Sequence, residues 1–386
     1  MKLLVVHQHY VVKDYQEFLI AAAKQNPDLD IEILCPTVFP INEKVKAEAL
    51  DQDVVPLHTL PAPFAKDGKQ HLFFFIGLGK LLDTLRPDVV WAQAPNSIVT
   101  AQVCYHCKKR NIPVILLRFT NQRRDYKKMY GLLNPRHYLY PFCRSYTYKN
   151  SMGIVAIDDL VTDVVRWEGF TGKILTTMTM GVNSRFFRVG EARLAEDAGP
   201  SDPIRIGVVG GLFDYKGIDF LLKAFASIQP LKPVVLIIRG TGPEEVNLKR
   251  MAKELGLESN VRFKPFVPFS EVPKTMGELD ILVLPSVKRG AALEQFGRVI
   301  VEAQAAGTVV VGSKLGGIPY AMSGGGFLCE PGNVRELADV LNRLCSDPDL
   351  WKKYQRLGYD TVKNTFSDDV LAAKFVDGLR NELGLL

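Results

Sequence analysis

Glu294-Gln295-Phe296-Gly297-Arg298-Val299-Ile300-Val301-Glu302 sets a carboxylate at each end of a run that stays apolar through Ala303, Ala305 and Ala306 and stops at Gly307. The pattern predicts a loop, a helix beginning near Gly297, and a glycine just past the helix end. Apolar segments that read as strands flank it: Asp280-Ile-Leu-Val-Leu284, followed by Pro285-Ser286, and Thr308-Val-Val-Val311. A helix N-terminus beside the carboxyl end of a strand attracts anions, because its free N–H groups and its dipole point outward. Glycine there lets a ligand come close to the backbone. Glu294 then stands at the mouth of the site. Glu302 lies more than a turn into the helix, where its carboxylate can accept hydrogen bonds from hydroxyls.

Phosphate held by backbone, with two carboxylates for hydroxyls, suggests a sugar nucleotide. Two glutamates at this spacing occur on many amphipathic helices. The weight comes from the setting: Pro285-Ser286 before, Gly307 and Ser313-Lys-Leu-Gly-Gly-Ile-Pro319 after.

The chain has 386 residues, 47% of them hydrophobic, which is ample for a core and favours two domains over one. A net charge of +6 suits acidic small ligands or an anionic membrane surface and is too weak to argue for nucleic acid. Six scattered cysteines fit the reduced thiols of a cytosolic protein. Cys104 and Cys107 have C-x-x-C spacing inside a helical stretch without a second pair, so packing is preferred over zinc or redox chemistry. No run is long enough to span a bilayer, and Leu72-Phe-Phe-Phe-Ile-Gly-Leu78 is expected to be a buried or membrane-grazing helix face. A cytoplasmic protein is expected, peripheral on the inner face of the membrane if it meets one.

Along the chain, strands are expected at Leu3–Val6, Ile31–Leu34, Val54–Leu57, Asp88–Trp91 and Val114–Leu117, alternating with helices at Tyr15–Lys24, His71–Leu85 and Ser97–Lys109. That rhythm means an α/β fold with a doubly wound parallel sheet. His7 and His9 follow the first strand, where ligands of such sheets collect, and are taken as loop residues rather than metal ligands. Arg123 to Lys149 interleaves basic and aromatic residues. It suits a solvated helix pair with its aromatics turned inward, or contact with anionic lipid. No nucleic-acid module accompanies it. Polar Glu191–Pro203 is expected to link an N-terminal domain (1–190) to a second α/β domain (203–365), with a last helix within 366–386. In the second domain Gly210-Gly211-Leu212 and Lys216-Gly217, then Arg239-Gly240-Thr241-Gly242-Pro243, can cradle phosphate, and Phe266-Val267 can edge a nucleotide base. The pairs Asp28/Asp30, Asp51/Asp53 and Asp347/Asp349 have Asp-x-Asp spacing but sit before strands or at a helix start, so no metal and no cofactor is expected.

As an ordered set these residues resemble the retaining glycosyltransferases of family 4, a GT-B fold of two Rossmann-like doubly wound parallel-sheet domains facing a cleft. The set is Gly210-Gly211-Leu212, Lys216-Gly217, Gly240 to Pro243, Leu255-Gly256-Leu257, Pro285-Ser286, Glu294 to Gly297, Glu302-Ala303, Ala306-Gly307, Gly316-Gly317 and Pro331-Gly332. It covers the C-terminal domain; the N-terminal domain matches only in its strand–helix rhythm. The resemblance implies a nucleotide-diphosphate sugar as donor and a glycan or lipid-linked acceptor, in synthesis of a cell-surface polysaccharide or glycoconjugate. It implies Lys216 on the donor diphosphate and the amides of Phe296, Gly297, Arg298 and Val299 on the distal phosphate and sugar. It also implies Glu294 at the donor sugar or reacting centre, Glu302 on the ribose, and His7 and Arg118 on the acceptor side. The last helix, Asp368–Leu383, would cross back to the first domain. The family often has arginine where Gly211 stands, a charge that Arg239 or Arg298 would have to supply, and a histidine where Arg118 stands. The competing expectations are a nucleotide-sugar epimerase or hydrolase of the same fold, and a degenerate module that only binds the sugar nucleotide.

Overall fold

A computed structural model describes residues 1–40, 44–67, 71–123, 129, 131–290 and 293–385. The chain divides into two compact units: Met1–Gly181 with Asp368–Leu386, and Val182–Ser367.

The first unit is built on strands β1 (Lys2–Val6), β2 (Asp30–Pro36), β5 (Leu57–Leu60), β6 (Val89–Gln93), β7 (Val114–Arg118), β8 (Gly153–Ala156) and β9 (Lys173–Thr176). A two-stranded ribbon of β3 (Val38–Pro40) and β4 (Lys44–Lys46) lies outside the main sheet. The sheet is parallel, in the order β5-β2-β1-β6-β7-β8-β9, so the direction of winding reverses between β1 and β6. Leu3, Leu4, Ile31, Ile33, Val90, Ile115 and Leu116 are fully buried, as expected of strands covered on both faces. Ser97 and Asp158 cap the helices Ile98–Lys108 and Asp159–Trp167, accepting from Thr100 N at 3.3 Å and Val161 N at 2.7 Å. Helix Asp368–Asn381 packs on helix Glu17–Gln25, where the Phe375 ring meets Phe18 at 5.5 Å and Trp91 at 4.8 Å.

The second unit repeats the plan with β10 (Ile204–Val209), β11 (Val234–Arg239), β12 (Val261–Lys264), β13 (Ile281–Leu284), β14 (Val309–Ser313) and β15 (Phe327–Cys329). Its parallel order, β12-β11-β10-β13-β14-β15, reverses between β10 and β13. Each unit is therefore a Rossmann-like doubly wound sheet.

Three expectations are corrected. The predicted helix His71–Leu85 is helical only from Leu78. Phe73 and Phe75 are buried while Phe74 and Ile76 are exposed, the alternation of an extended chain. The Gln102 side-chain amide replaces a strand partner, accepting from Phe75 N at 2.9 Å and donating to Phe75 O at 2.7 Å. The predicted strand Val54–Leu57 is displaced to Leu57–Leu60. Thirdly, Glu191–Ala195 is not linker but the end of a helix, Ser184–Ala195, in the second unit. Arg193 fixes it there, donating to Leu279 O at 2.8 Å and Thr308 Oγ1 at 3.0 Å, and Gly190 leaves no room for a Cβ beside Ala305 O.

All six cysteines are buried free thiols, and burial pushes Cys107 up to about 12. Among the described residues no three His, Cys, Asp or Glu side chains gather where they can hold a metal, and Asp347 caps helix Pro348–Thr365. No helix of the described residues is long and apolar enough to cross a membrane.

Candidate donor site

The carboxyl edge of the second sheet, at its reversal point, collects most of the expected residues. In open α/β sheets this crevice is where ligands bind. After β10 the chain turns through Gly210, Gly211 and Leu212, and a short 3-10 helix, Asp214–Lys216, leads into helix Ile218–Ser227. After β13 it runs through Pro285 and Ser286 to Glu294 and helix Arg298–Ala305. The two loops are locked together. Val287 N donates to Tyr215 O at 2.8 Å, and a Cβ on Gly217, which has φ +66°, would strike Pro285 O.

That lock carries Lys216 to Glu294: Lys216 Nζ lies 2.5 Å from Glu294 Oε2, the side chains being 17% and 15% exposed. The Glu294 loop is braced from behind by the turn after β14. Gly317 N donates to Glu294 O at 3.3 Å, and a Cβ on Gly316 or Gly317 would collide with the carbonyl oxygens of Glu294 or Gln295. Only glycine fits, which is the physical content of Gly316-Gly317 in the sequence.

Helix Arg298–Ala305 starts as expected, so the amides of Gly297, Arg298 and Val299 fall at its first turn, where no carbonyl of the helix pairs with them. Phe296 is buried against the rings of Tyr320 and Phe366, which steadies the turn. Glu302 is buried, with Arg298 Nε 2.7 Å from its Oε1. Burial raises the Glu302 carboxyl above its ordinary range although Arg298 opposes the shift. With Arg298 as its one ion-pair partner among the described residues, Glu302 is able to accept hydrogen bonds from a ligand's hydroxyls.

The loop after β11 completes the edge. Leu212 N donates to Thr241 O at 2.9 Å and Gly210 N to Arg239 O at 3.0 Å, so the Gly210 and Gly240 turns form one surface. Phe266 is exposed beside Gly240, and Val267 is partly buried. Arg239 is buried and donates to Pro265 O at 3.2 Å, while Arg298 is engaged by Glu302. Sequence reasoning missed two features. Ser286 is fully buried with no hydrogen-bond partner for its Oγ among the described residues, and Arg289 reaches Asp219 at 2.8 Å across 70 residues of sequence.

Residues 193–363 match the family model described as glycosyl transferases group 1. The matched residues all fall within the second unit. A D-inositol 3-phosphate glycosyltransferase of Mycobacterium bovis is 33% identical over 208 residues, half of this chain, and the chain spans only 42% of the length of that relative. Over nearly the whole chain the fold is that of Anabaena Alr3699/HepE in complex with UDP, with a TM-score of 0.67 at 20% identity, covering 98% of this chain and 99% of that one. A glycosyltransferase of Rickettsia africae ESF-5 gives 0.67 at 18% identity, covering 99% and 98%. The architecture is GT-B.

His7 and Arg118 lie outside the matched residues, at the carboxyl edge of the first sheet. His7 is buried, its Nδ1 accepts from His9 N at 3.1 Å, and burial with His9 nearby holds its imidazole well below the ordinary range. Arg118 is spent internally: it and Arg144 donate to Glu168 Oε1 at 2.7 and 2.8 Å, and Tyr148 donates to Oε2 at 2.6 Å. Of the basic and aromatic stretch, Arg124, Tyr126, Lys127, Lys128 and Tyr130 lie outside the described residues.

Proposed function

We propose that the protein is a retaining glycosyltransferase that moves a sugar from a nucleotide-diphosphate donor, bound at the edge of the group 1 domain, to a glycan or lipid-linked acceptor. The observation that carries this reading is the Lys216–Glu294 pair at the reversal point of the sheet, above a helix whose first-turn amides have no partner within the helix. Cleaving a glycosyl–phosphate bond develops charge on the leaving diphosphate. Lys216 and the amides of Phe296, Gly297, Arg298 and Val299 offset that charge without a metal. Glu302 accepts the ribose hydroxyls, Glu294 the donor-sugar hydroxyls, and Phe266 edges the base. The acceptor is taken on the side of His7 and Arg118. Similarity to an inositol-phosphate glycosyltransferase is in keeping with a polyhydroxyl acceptor.

The partner surface in this reading is an anionic membrane. Between Ala94 and Ile157 the sequence has eleven Lys or Arg and one Asp. Leu132, Leu133, Tyr138 and Phe142 are 72%, 100%, 59% and 67% exposed beside Arg136. Apolar and basic groups on one surface suit a lipid interface. Failure to sediment with phosphatidylglycerol vesicles at low salt would remove this partner.

The donor is tested by melting the protein with UDP-, GDP-, ADP- and CMP-sugars. A ligand of the folded state raises the melting temperature by mass action. One nucleotide sugar is expected to do so, Glu302→Ala to abolish the shift, and Glu294→Ala to keep more of the shift than of the turnover. Near-native activity in both variants would sink the assignment.

A further inference from the structure

The cation assigned to the diphosphate is paired with the carboxylate assigned to the sugar. Lys216 and Glu294 are 78 residues apart in sequence, are both largely shielded from water, and meet at 2.5 Å. Lys216 Nζ also lies 5.3 Å from the ring centroid of its neighbour Tyr215. Lys216 ends a 3-10 turn anchored through Pro285 and Val287, and Glu294 hangs from a loop braced by Gly316 and Gly317. The fold brings the pair together and fixes both backbones.

We infer that Glu294 is an internal competitor for Lys216 that discriminates the intact donor from the spent nucleoside diphosphate. The inference rests on the donor reading given above. A diphosphate must take the Lys216 ammonium from Glu294, leaving a carboxylate without its cation beside a polyanion. Like charges in a shielded site repel strongly. An intact donor relieves this, because its sugar hydroxyls donate to the freed Glu294. Once the sugar has left, the donors to Glu294 leave with it. The carboxylate then reclaims Lys216 and the diphosphate is expelled. Glu294 thus sets the preference for nucleotide sugar over nucleoside diphosphate, and it speeds product release.

The test is calorimetric titration of UDP, GDP and ADP, and of the corresponding glucose derivatives, into the wild type and Glu294→Gln. For the nucleotide that binds, Glu294→Gln is expected to bind the free diphosphate about tenfold more tightly, because the competing charge is gone. The margin by which the nucleotide sugar is preferred shrinks. Glu294→Asp, with its carboxylate drawn back, falls between the two, and melting curves confirm that each variant is folded. Lys216→Met weakens the diphosphate, and adding Glu294→Gln to it restores less than the gain seen with lysine present. Equal or weaker diphosphate binding by Glu294→Gln overturns the competitor role while leaving the donor site in place. No binding of any diphosphate or nucleotide sugar by the folded wild type overturns the donor reading itself.

Discussion

Glu168 and Glu302 are two buried carboxylates, one in each unit, buried on opposite terms. The Glu168 side chain has no exposure and meets Arg118, Arg144 and Tyr148. Glu302 is 5% exposed, and its one ion-pair partner among the described residues is Arg298 of its own helix. Burial raises its carboxyl, and Arg298 only partly opposes the shift. A buried charge with a full set of donors ties elements together: strand β7, helix Arg136–Lys149 and the end of helix Asp159–Trp167 converge on Glu168. A buried charge with acceptor capacity to spare is weak architecture and is found where a ligand supplies the missing donors.

The sharpest way to break this comparison is Glu168→Ala. Two guanidiniums and a phenol would lose their common acceptor in the interior, and stability should fall by about 3–5 kcal/mol. Urea unfolding measures it. A loss under about 1 kcal/mol, the size of an exposed ion pair, would mean that the network is decoration rather than structure. Glu168→Gln keeps an oxygen for Tyr148 and should cost less.

The next largest effect is set by pH at the other feature of the first edge. His9 is lowered from 6.5 to about 4 by burial, and His7 is held down by burial and by His9. Above pH 6.5 the folded and unfolded chains both carry a neutral imidazole at His9. As pH falls from 6.5 toward about 4, the unfolded chain takes up a proton that the folded chain refuses, so stability drains away across that window. For His9 alone the loss is about 3 kcal/mol at most. His7 adds to it, because its Nδ1 accepts from His9 N and must be unprotonated to do so. His9→Gln should flatten the profile of urea midpoint against pH between 6.5 and 4. A variant whose midpoint falls as steeply as the wild type's would assign acid loss elsewhere.

The two edges also differ in how much the sequence disclosed. Helix Arg298–Ala305 and the strands around it were readable because period, glycine and flanking proline agree within a short window. The glycines announced close approach, and the structure supplies the colliding atom: Pro285 O for Gly217, the Glu294 carbonyl for Gly316. What no local pattern reports is pairing across long loops. Glu168 finds Arg118 across 50 residues, and Arg289 finds Asp219 across 70. Arg118 was legible as a charge at a strand end, but not as a charge already engaged within the first unit. The stretch after His71 misled because its apolar count suits a helix, while its alternation, Phe73 and Phe75 in and Phe74 and Ile76 out, belongs to an extended chain tied to Gln102. Glu191–Pro203 misleads because its polar composition suits a linker, while the contact that fixes the helix there, Arg193 to Leu279 O, comes from 86 residues away.

The smallest effect on stability is expected where the effect on binding is largest. The Glu302 carboxyl is raised in the folded state, so below its ordinary value of 4.5 both states are protonated and the residue costs nothing. As pH climbs past that value the unfolded chain ionises first, and folding loses ground relative to a neutral side chain. Glu302→Gln removes the penalty. At pH 7 the variant should be no less stable than the wild type, and the two should converge below pH 4.5. Arg298, 24% exposed at its side chain, retains access to water when its partner is neutralised, unlike Arg118 at 4%. Binding should move the other way, since a glutamine amide offers one acceptor oxygen where the carboxylate offers two. A Glu302→Gln protein that is markedly less stable at pH 7 and still binds nucleotide sugar as the wild type does would make Glu302 a second Glu168, and the distinction between the two carboxylates would fall.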